Sequence, residues 1–324
     1  MSEPIRWGVL GASKFALGAM ARAIHAADGS ELAALATSSE EKAASFRAFQ
    51  PRLRVHLDYQ ALLDDPEIDA VYIPLPNAMH VEWTLKALDA GKHVLCEKPL
   101  AMTATEFDEV IAKRDATGLM AAEAYMIVHH PQWIRAKELV QGGAVGELRH
   151  VEAAFSFNNA AATDNIRNKP ETGGGGLPDI GVYAFGSVRF VTEEEPQSIR
   201  HATIRYENGV DVYAQVAARF ESFEYSGMVS MRLHPRQEVT FHGDKGVLKL
   251  LCPFNANTFG QAELTLETEG MRVVHERWPG VDHYKLQVEN FTAAIGGASY
   301  ACPLEFSRGT QAMIDMVYAA GGNG

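Results

Sequence analysis

The sequence predicts an α/β protein in two parts: a doubly wound parallel sheet with helices on both faces, then a mostly antiparallel sheet with helices on one face. Three observations carry this. Up to about Glu123, short apolar runs alternate with segments of helical periodicity, the mark of repeated strand–helix units. Beyond about Gly146 the period becomes two, with Val212, Ala214, Val216, Ala218 and Phe220 facing one way and Tyr213, Gln215 and Arg219 the other. The length of 324 residues exceeds one typical core. The expected domains are 1–124 and 125–324, with the final helices able to pack back on the first.

Each element has its own signal. Ile5–Leu10 is an apolar strand ended by Gly11, and Phe15–Ala27 has helical spacing. Strand Glu31–Ala36, helix Glu40–Phe49, and strands Arg54–Leu57 and Asp69–Pro74 follow. His80–Ala90 places Val81, Leu85 and Leu88 on one face and stops at Gly91. His93–Cys96 is a fifth strand, and Leu119–Glu123 a sixth. Between them, Thr103–Thr117 opens with Thr103 and Glu106 in capping-box register. In the second part His150–Phe157 is strand-like, and Asn208-Gly209 is a hairpin turn before Val212–Phe220. Tyr225–Leu233, Glu238–His242, Val247–Leu251, Ala262–Thr268 and Met271–Arg277 continue as strands. Helices return at His283–Ile295 and Phe306–Ala320. The uncovered face of this sheet calls for a homodimer or homotetramer. The run Glu193-Glu194-Glu195 reads as the cap of a solvated helix end.

A net charge of −12 argues against a nucleic-acid partner and against an anionic membrane. The amino terminus shows no basic-then-apolar leader, and no apolar run spans a bilayer, so a reducing cytoplasm is the expected location. Cys96, Cys252 and Cys302 are scattered, which predicts neither a disulfide framework nor a metal site. Cys96 reads as a small buried thiol.

Two stretches suit a dinucleotide and a reaction beside it. The opening, Gly8 to Ala16, reads GVLGASKFA. Gly11 supplies the tight turn, Ser13 replaces the second glycine of G-x-G-x-x-G, and Ala16 replaces the third. The next strand ends Ala36-Thr37-Ser38-Ser39, without the acid that usually holds an NAD ribose. Thr37 and Ser38 can donate to a 2′-phosphate and Lys14 or Lys42 can neutralise it, so NADP is favoured, with NAD as the alternative. The second stretch is Cys96-Glu97-Lys98-Pro99, directly after the fifth strand. Ligands bind at the carboxyl ends of strands in open parallel sheets, which puts Lys98 at the expected place.

With YIPLPNAMH at Tyr72–His80 and GGGGLPDIGVY at Gly173–Tyr183, these motifs resemble the Gfo/Idh/MocA family (glucose–fructose oxidoreductase, inositol dehydrogenase) across nearly the whole chain. Tyr183, where many members have His, resembles the branch of dimeric dihydrodiol dehydrogenase and some xylose dehydrogenases. The resemblance implies an N-terminal Rossmann domain, a C-terminal domain on a large open sheet, NAD or NADP, and sugar or polyol substrates. It implies a cis Lys98–Pro99 bond. It places Gly11, Ala12, Ser13, Lys14, Phe15, Thr37, Ser38, Lys42, Leu75, Pro76, Asn77, His80, Glu97 and Lys98 at the coenzyme. It places Lys98, Met126, Asn165, Arg167, Asp179 and Tyr183 at the substrate.

Oxidising an alcohol removes a hydride and a proton, and the proton needs a base within about 3 Å. A free tyrosine, with a pKa near 10, is a poor base, but a nearby ammonium favours its phenolate. Tyr183 is therefore the candidate acid/base and Lys98 its electrostatic partner. Asp179 lies one helical turn from Tyr183 and can bind substrate or orient Lys98. At Ile127-Val128 many sugar-using relatives have an aromatic–Arg pair, so a less polar pocket is expected here. His130-Pro131 reads as a helix start, with His130 in packing or capping and His129 a weaker substrate contact. The expected activity is NADP-dependent hydride transfer with a sugar-like alcohol, hemiacetal or carbonyl. The alternatives are a trans-dihydrodiol or dicarbonyl oxidoreductase, a non-catalytic NADP sensor and an NAD-dependent glycosidase.

Overall fold

In a computed structural model, which describes residues 3–322, the chain begins with β1 (Ile5–Leu10) and a π-helical turn (Ala16–Met20) that continues into α1 (Ala21–Ala26). There follow β2 (Ser30–Ala36), α2 (Glu40–Phe49), β3 (Arg54–His56), α3 (Tyr59–Leu63), β4 (Ala70–Ile73), α4 (His80–Asp89), β5 (His93–Cys96), α5 (Ala104–Thr117) and β6 (Ala121–Glu123). A 3₁₀ turn (Met126–His129) leads to α6 (Pro131–Gln141) and β7 (Leu148–Asn158). A second π-helical turn (Leu177–Gly181) runs into α7 (Val182–Thr192). Then come β8 (Ser198–Glu207), β9 (Val210–Arg219), β10 (Glu224–Ser230), β11 (Arg232–Gly243), β12 (Gly246–Leu251), β13 (Ala262–Thr268) and β14 (Arg272–Trp278). The chain closes with α8 (His283–Ile295) and α9 (Leu304–Gly321). Two compact units result: one takes the chain up to Met126 plus Asp282–Phe306, the other Ile127–Val281 and the residues from Ser307 onward.

The first unit is a six-stranded parallel sheet in the order β3-β2-β1-β4-β5-β6. Its strands are buried on both faces, which explains their nearly continuous apolar runs. One face packs Trp7, Val9 and Leu35 against Phe46 of α2 and Phe291 of α8. The other packs Val71, Ile73 and Val94 against Phe107 and Val110 of α5. Helix α5 has the expected capping box at Thr103 and Glu106 and ends on Gly118 at φ 66°. Strand order reverses about β1, so β1 and β4 open the crevice where such sheets take ligands.

The second unit is an eight-stranded sheet in the order β14-β13-β12-β11-β7-β10-β9-β8. Every neighbouring pair is antiparallel except β10 and β7. Residues 212, 214, 216, 218 and 220 are buried, as their period of two requires. Helix α6 anchors to the sheet by Trp133 Nε1–H on Pro253 O at 2.8 Å and Gln132 Nε2–H on Glu263 O at 2.7 Å. The opposite face carries Glu152, Glu238, Thr240 and Lys249 outward, each half-exposed or more.

Three expectations change here. The segment read as one strand, Tyr225–Leu233, breaks after Ser230, because the chain must pass the end of β7 to pair on its other side. Strand β8, an edge strand with neither face well buried, is not among the expected strands, although Ala202, Ile204 and Tyr206 alternate with Thr203, Arg205 and Glu207. The acidic run does end a helix, with Glu193 as left-handed C-cap of α7, but its side chains are engaged. Glu193 pairs with Lys137, Glu194 with Ser222 and Glu195 with the buried guanidinium of Arg189.

His130 caps α6, its Nδ1 accepting the Gln132 N–H at 3.0 Å, so it is held neutral. Burial depresses His129 to about 3 and His130 to about 4. Both rings are free to charge when unfolded, at about pH 6.5. The unfolded chain then binds more protons, and stability falls as pH drops from about 6.5 toward those depressed values. Urea midpoints should decline between about pH 7 and 5, and His130→Asn, which keeps a capping oxygen, should flatten the decline. An unchanged slope in that variant refutes the assignment.

Candidate active site

In the first unit, β1 delivers the chain to Gly11 at φ 112°, a conformation suited to glycine. A Cβ there would meet Leu75 Cδ2 at 3.1 Å. Ser13 Oγ accepts the Ala16 N–H at 3.0 Å, satisfying one amide at the start of the following helix. Ala12 and Ser13 are half-buried, while Lys14 and Phe15 are exposed. At the tip of β2, Ser38 is exposed and Lys42 Nζ donates to its hydroxyl at 2.9 Å. Thr37 is enclosed, with its N–H on His56 O, so a role at a ligand falls to Ser38 and Lys42.

Lys98 follows β5, half-buried, and its bond to Pro99 is cis. Its neighbours are fixed through the backbone. Glu97 accepts Tyr72 O–H on Oε1 at 2.6 Å and the Lys98 N–H on Oε2 at 3.3 Å. Burial, then the Glu97 charge, pushes the Tyr72 phenol well up, so it remains a neutral donor. The buried Glu123 carboxylate takes the Leu100 N–H at 2.9 Å.

His80 differs from its expected part. The ring is 0% exposed, with Nδ1 2.8 Å from Pro99 O and Nε2 2.7 Å from Leu75 O. The ring lies between the Leu75 loop and the Lys98–Pro99 loop, and in its neutral form it donates to one of these two carbonyls. Burial lowers its pKa; the two carbonyls oppose that shift and the Lys98 charge adds to it. Leu75 is buried, and Pro76 and Asn77 are half-buried at the start of the turn before α4. Met126 is also buried, as are Ile127 and Val128 beside it, so these three are packing residues of their turn.

In the second unit, Asp179 lies in the π-helical turn and Tyr183 in the first turn of α7. Asp179 is buried and receives Arg167 Nε–H on Oδ2 at 2.6 Å. Tyr183 is 6% exposed, its ring centroid 5.7 Å from Phe254 and 5.8 Å from Phe155. Phe155 and Phe254 stack on each other at 4.9 Å, so the phenol is held in an aromatic corner. Asn165 spends its Oδ1 on the Arg167 N–H at 3.0 Å, which makes it a turn cap rather than a free contact. The structure thus groups Gly11, Ser13, Leu75, His80 and Lys98 in one unit and Arg167, Asp179 and Tyr183 in the other.

Sequence reasoning missed Tyr72, Glu123 and Asp211. Tyr72 and Glu123 stood inside apolar strand runs and read as packing. Asp211, 2% exposed, follows a hairpin turn, where an acid ordinarily faces water. Its one signal is that it lies between Val210 and Val212, all three buried, against the period of two.

Both units carry a match to one protein family. Residues 5–125 match the family described as oxidoreductase family, NAD-binding Rossmann fold, and residues 133–249 match its C-terminal domain. A D-xylose 1-dehydrogenase (NADP(+)) from Haloferax volcanii is 32% identical over 98% of both chains. A dTDP-3,4-didehydro-2,6-dideoxy-α-D-glucose 3-reductase from Saccharopolyspora spinosa is 35% identical over 91% of this chain and 89% of its own. Among solved structures, the 3-ketoreductase KijD10 from Actinomadura kijaniata, in complex with NADP and TDP-benzene, superposes with a TM-score of 0.90 at 27% identity, covering 98% of both chains. A lysine and a tyrosine variant of that protein have also been solved in such a complex.

Gly11→Ala should destabilise by about 1–3 kcal/mol, the cost of forcing a Cβ into that backbone region. Urea denaturation monitored by tryptophan fluorescence measures it, and wild-type stability means the turn relaxes freely.

Proposed function

The chain belongs to the Gfo/Idh/MocA oxidoreductase family, and within it we propose an NADP-dependent enzyme that moves a hydride between nicotinamide and a sugar-like alcohol, hemiacetal or carbonyl. The observation that carries this reading is the pair of prepared groups: Lys98 on a backbone fixed by Glu97 and His80, and Tyr183 fixed by two aromatic rings beside Asp179. A non-catalytic sensor has no need of either preparation.

The residues present fit a dinucleotide. Gly11 leaves room where a side chain would intrude, Ser13 orders the helix start, and Ser38 with Lys42 offers a hydroxyl and an ammonium for a 2′-phosphate. NADP supplies the hydride acceptor or donor when bound. The protein's own part is proton transfer and orientation. In reduction, the Tyr183 O–H gives its proton to the carbonyl oxygen as that oxygen gains charge. In oxidation, the phenolate takes the hydroxyl proton back. In this reading the Lys98 ammonium stabilises the phenolate and the developing oxyanion, and Asp179, oriented by Arg167, accepts a substrate hydroxyl.

Relatives include a xylose dehydrogenase and several dTDP-sugar 3-reductases, so the panel that tests the substrate holds free aldoses, dTDP-linked keto sugars, and trans-dihydrodiols with dicarbonyls. The outward face of the eight-stranded sheet, bearing Glu152, Arg236, Glu238 and Lys249, is proposed as the contact of a homo-oligomer, with light scattering as its test.

Tyr183→Phe should lower turnover by roughly 10²-fold or more with NADPH binding unchanged. Wild-type turnover rejects the acid/base role. Lys42→Ala should cut the preference for NADP over NAD roughly tenfold, the worth of one charge-assisted hydrogen bond. An unmoved ratio of kcat/KM values places the 2′-phosphate elsewhere.

A further inference from the structure

Helix α7 is continuous with the π-helical turn before it, so one helix begins at Leu177 and carries both Asp179 and Tyr183. The first N–H groups of a helix have no acceptor within it. A polar side chain just before the helix usually serves, but here the preceding residues are Gly173 to Gly176. The acceptor comes from another element. Asp211, the second residue of β9, takes the Leu177 N–H on Oδ2 at 2.7 Å and also accepts from the Gly176 N–H. Its Oδ1 accepts Tyr318 O–H from α9 at 2.7 Å.

Two of the glycines, Gly175 and Gly176, are explained by the same contact, and Gly174 by the approach of the Arg167 carbonyl. At Gly175, φ is 139°, and an added Cβ would collide with Asp211 Oδ1. At Gly176 the added Cβ would lie 3.2 Å from Asp211 Oδ2. At Gly174 it would lie 2.6 Å from Arg167 O. The backbone therefore approaches the carboxylate as closely as it does because no side chains intervene. Burial costs this carboxylate its hydration, and three donors with the positive end of the helix dipole offset the loss.

We infer that Asp211 is a positioning residue for the reaction: it sets the start and axial position of the helix that presents Asp179 and Tyr183. The inference rests on the oxidoreductase reading for its consequence on rate, and on the hydrogen bonds alone for its consequence on structure. Tyr318 is the second member of the device, holding the carboxylate's other oxygen from α9.

The test uses Asp211→Asn and Tyr318→Phe in the full chain. In Asp211→Asn one neutral amide oxygen replaces two charged ones, so the charge-assisted hold on the Leu177 and Gly176 N–H groups is lost and Tyr318 must turn its hydroxyl to accept from the NH₂. It should lower kcat roughly 10- to 100-fold, the size of effect that small misplacement of a reacting group produces, with NADPH affinity by fluorescence titration unchanged. Tyr318→Phe should lower kcat less, in the same direction. Hydrogen exchange should accelerate in Asp211→Asn over residues 176–185 while the strands β10 to β12 keep their protection. Wild-type kcat and exchange in Asp211→Asn overturn the inference. So does a loss of kcat accompanied by weaker NADPH binding or by deprotection of the whole unit, since that marks a residue that only holds the fold. If Asp211→Asn does not fold, wild-type kcat and exchange in Tyr318→Phe overturn it. Should the unmodified protein turn over no member of the substrate panel, the oxidoreductase reading fails by itself, and the exchange pattern still decides what Asp211 holds.

Discussion

A helix start brings amide N–H groups in need of acceptors, and one helix in each unit meets that need in a different way. In the first, Ser13 supplies the acceptor from within the helix's own turn, and Gly11 turns the chain away from β1 to make room. In the second, no local side chain is available, and Asp211 reaches in from β9. The two solutions differ in what they demand. A local cap needs one serine. A distant cap needs a glycine run, a strand in the right register, and a third element to occupy the carboxylate's other oxygen. That contact joins β9, the helix of α7 and α9 at a single buried side chain.

The proposed reacting groups are few, and the groups that hold them are many. Lys98 is placed by its backbone: Glu97 takes its N–H, Tyr72 donates its hydroxyl to Glu97, Glu123 takes the Leu100 N–H, and a His80 ring nitrogen lies against Pro99 O. Tyr183 is placed by apolar contact with Phe155 and Phe254, and Asp179 by Arg167. Each support has a burial cost. Desolvation raises Tyr72 and Asp211 and lowers His80, and at Asp211 and His80 the hydrogen bonds oppose that shift, favouring the charged form. Such a site resists rearrangement, because moving any one support strands a polar group away from water.

The protein is acidic as a whole, with a net charge of −12, yet the proposed binding groups at the carboxyl ends of its parallel strands include Lys14, Lys42 and Lys98. A local cationic strip on an anionic body admits a phosphate-bearing coenzyme while giving no extended basic surface for a polyanion.

The sequence by itself determined the layers of both units, the turn at Gly11 and the capping box of α5, and it singled out Lys98, Asp179 and Tyr183 as the candidates on which the proposed chemistry rests. These signals are local or periodic: a glycine where φ must be positive, a repeat of two or 3.6, a motif of contiguous residues. What only tertiary structure decided is which polar groups are consumed by the fold. His80 looked like a ligand contact and spends both nitrogens on carbonyls five and nineteen residues away. Asn165 looked like a substrate contact and caps its own turn. The break at Met231 depended on β10 and β11 lying on opposite sides of β7, which no short-range pattern encodes. Asp211 looked like a solvated turn acid, and its partners lie 34 and 107 residues away. A side chain's chemistry is written in the sequence, but whether that chemistry remains available depends on what the folded chain brings within 3 Å of it.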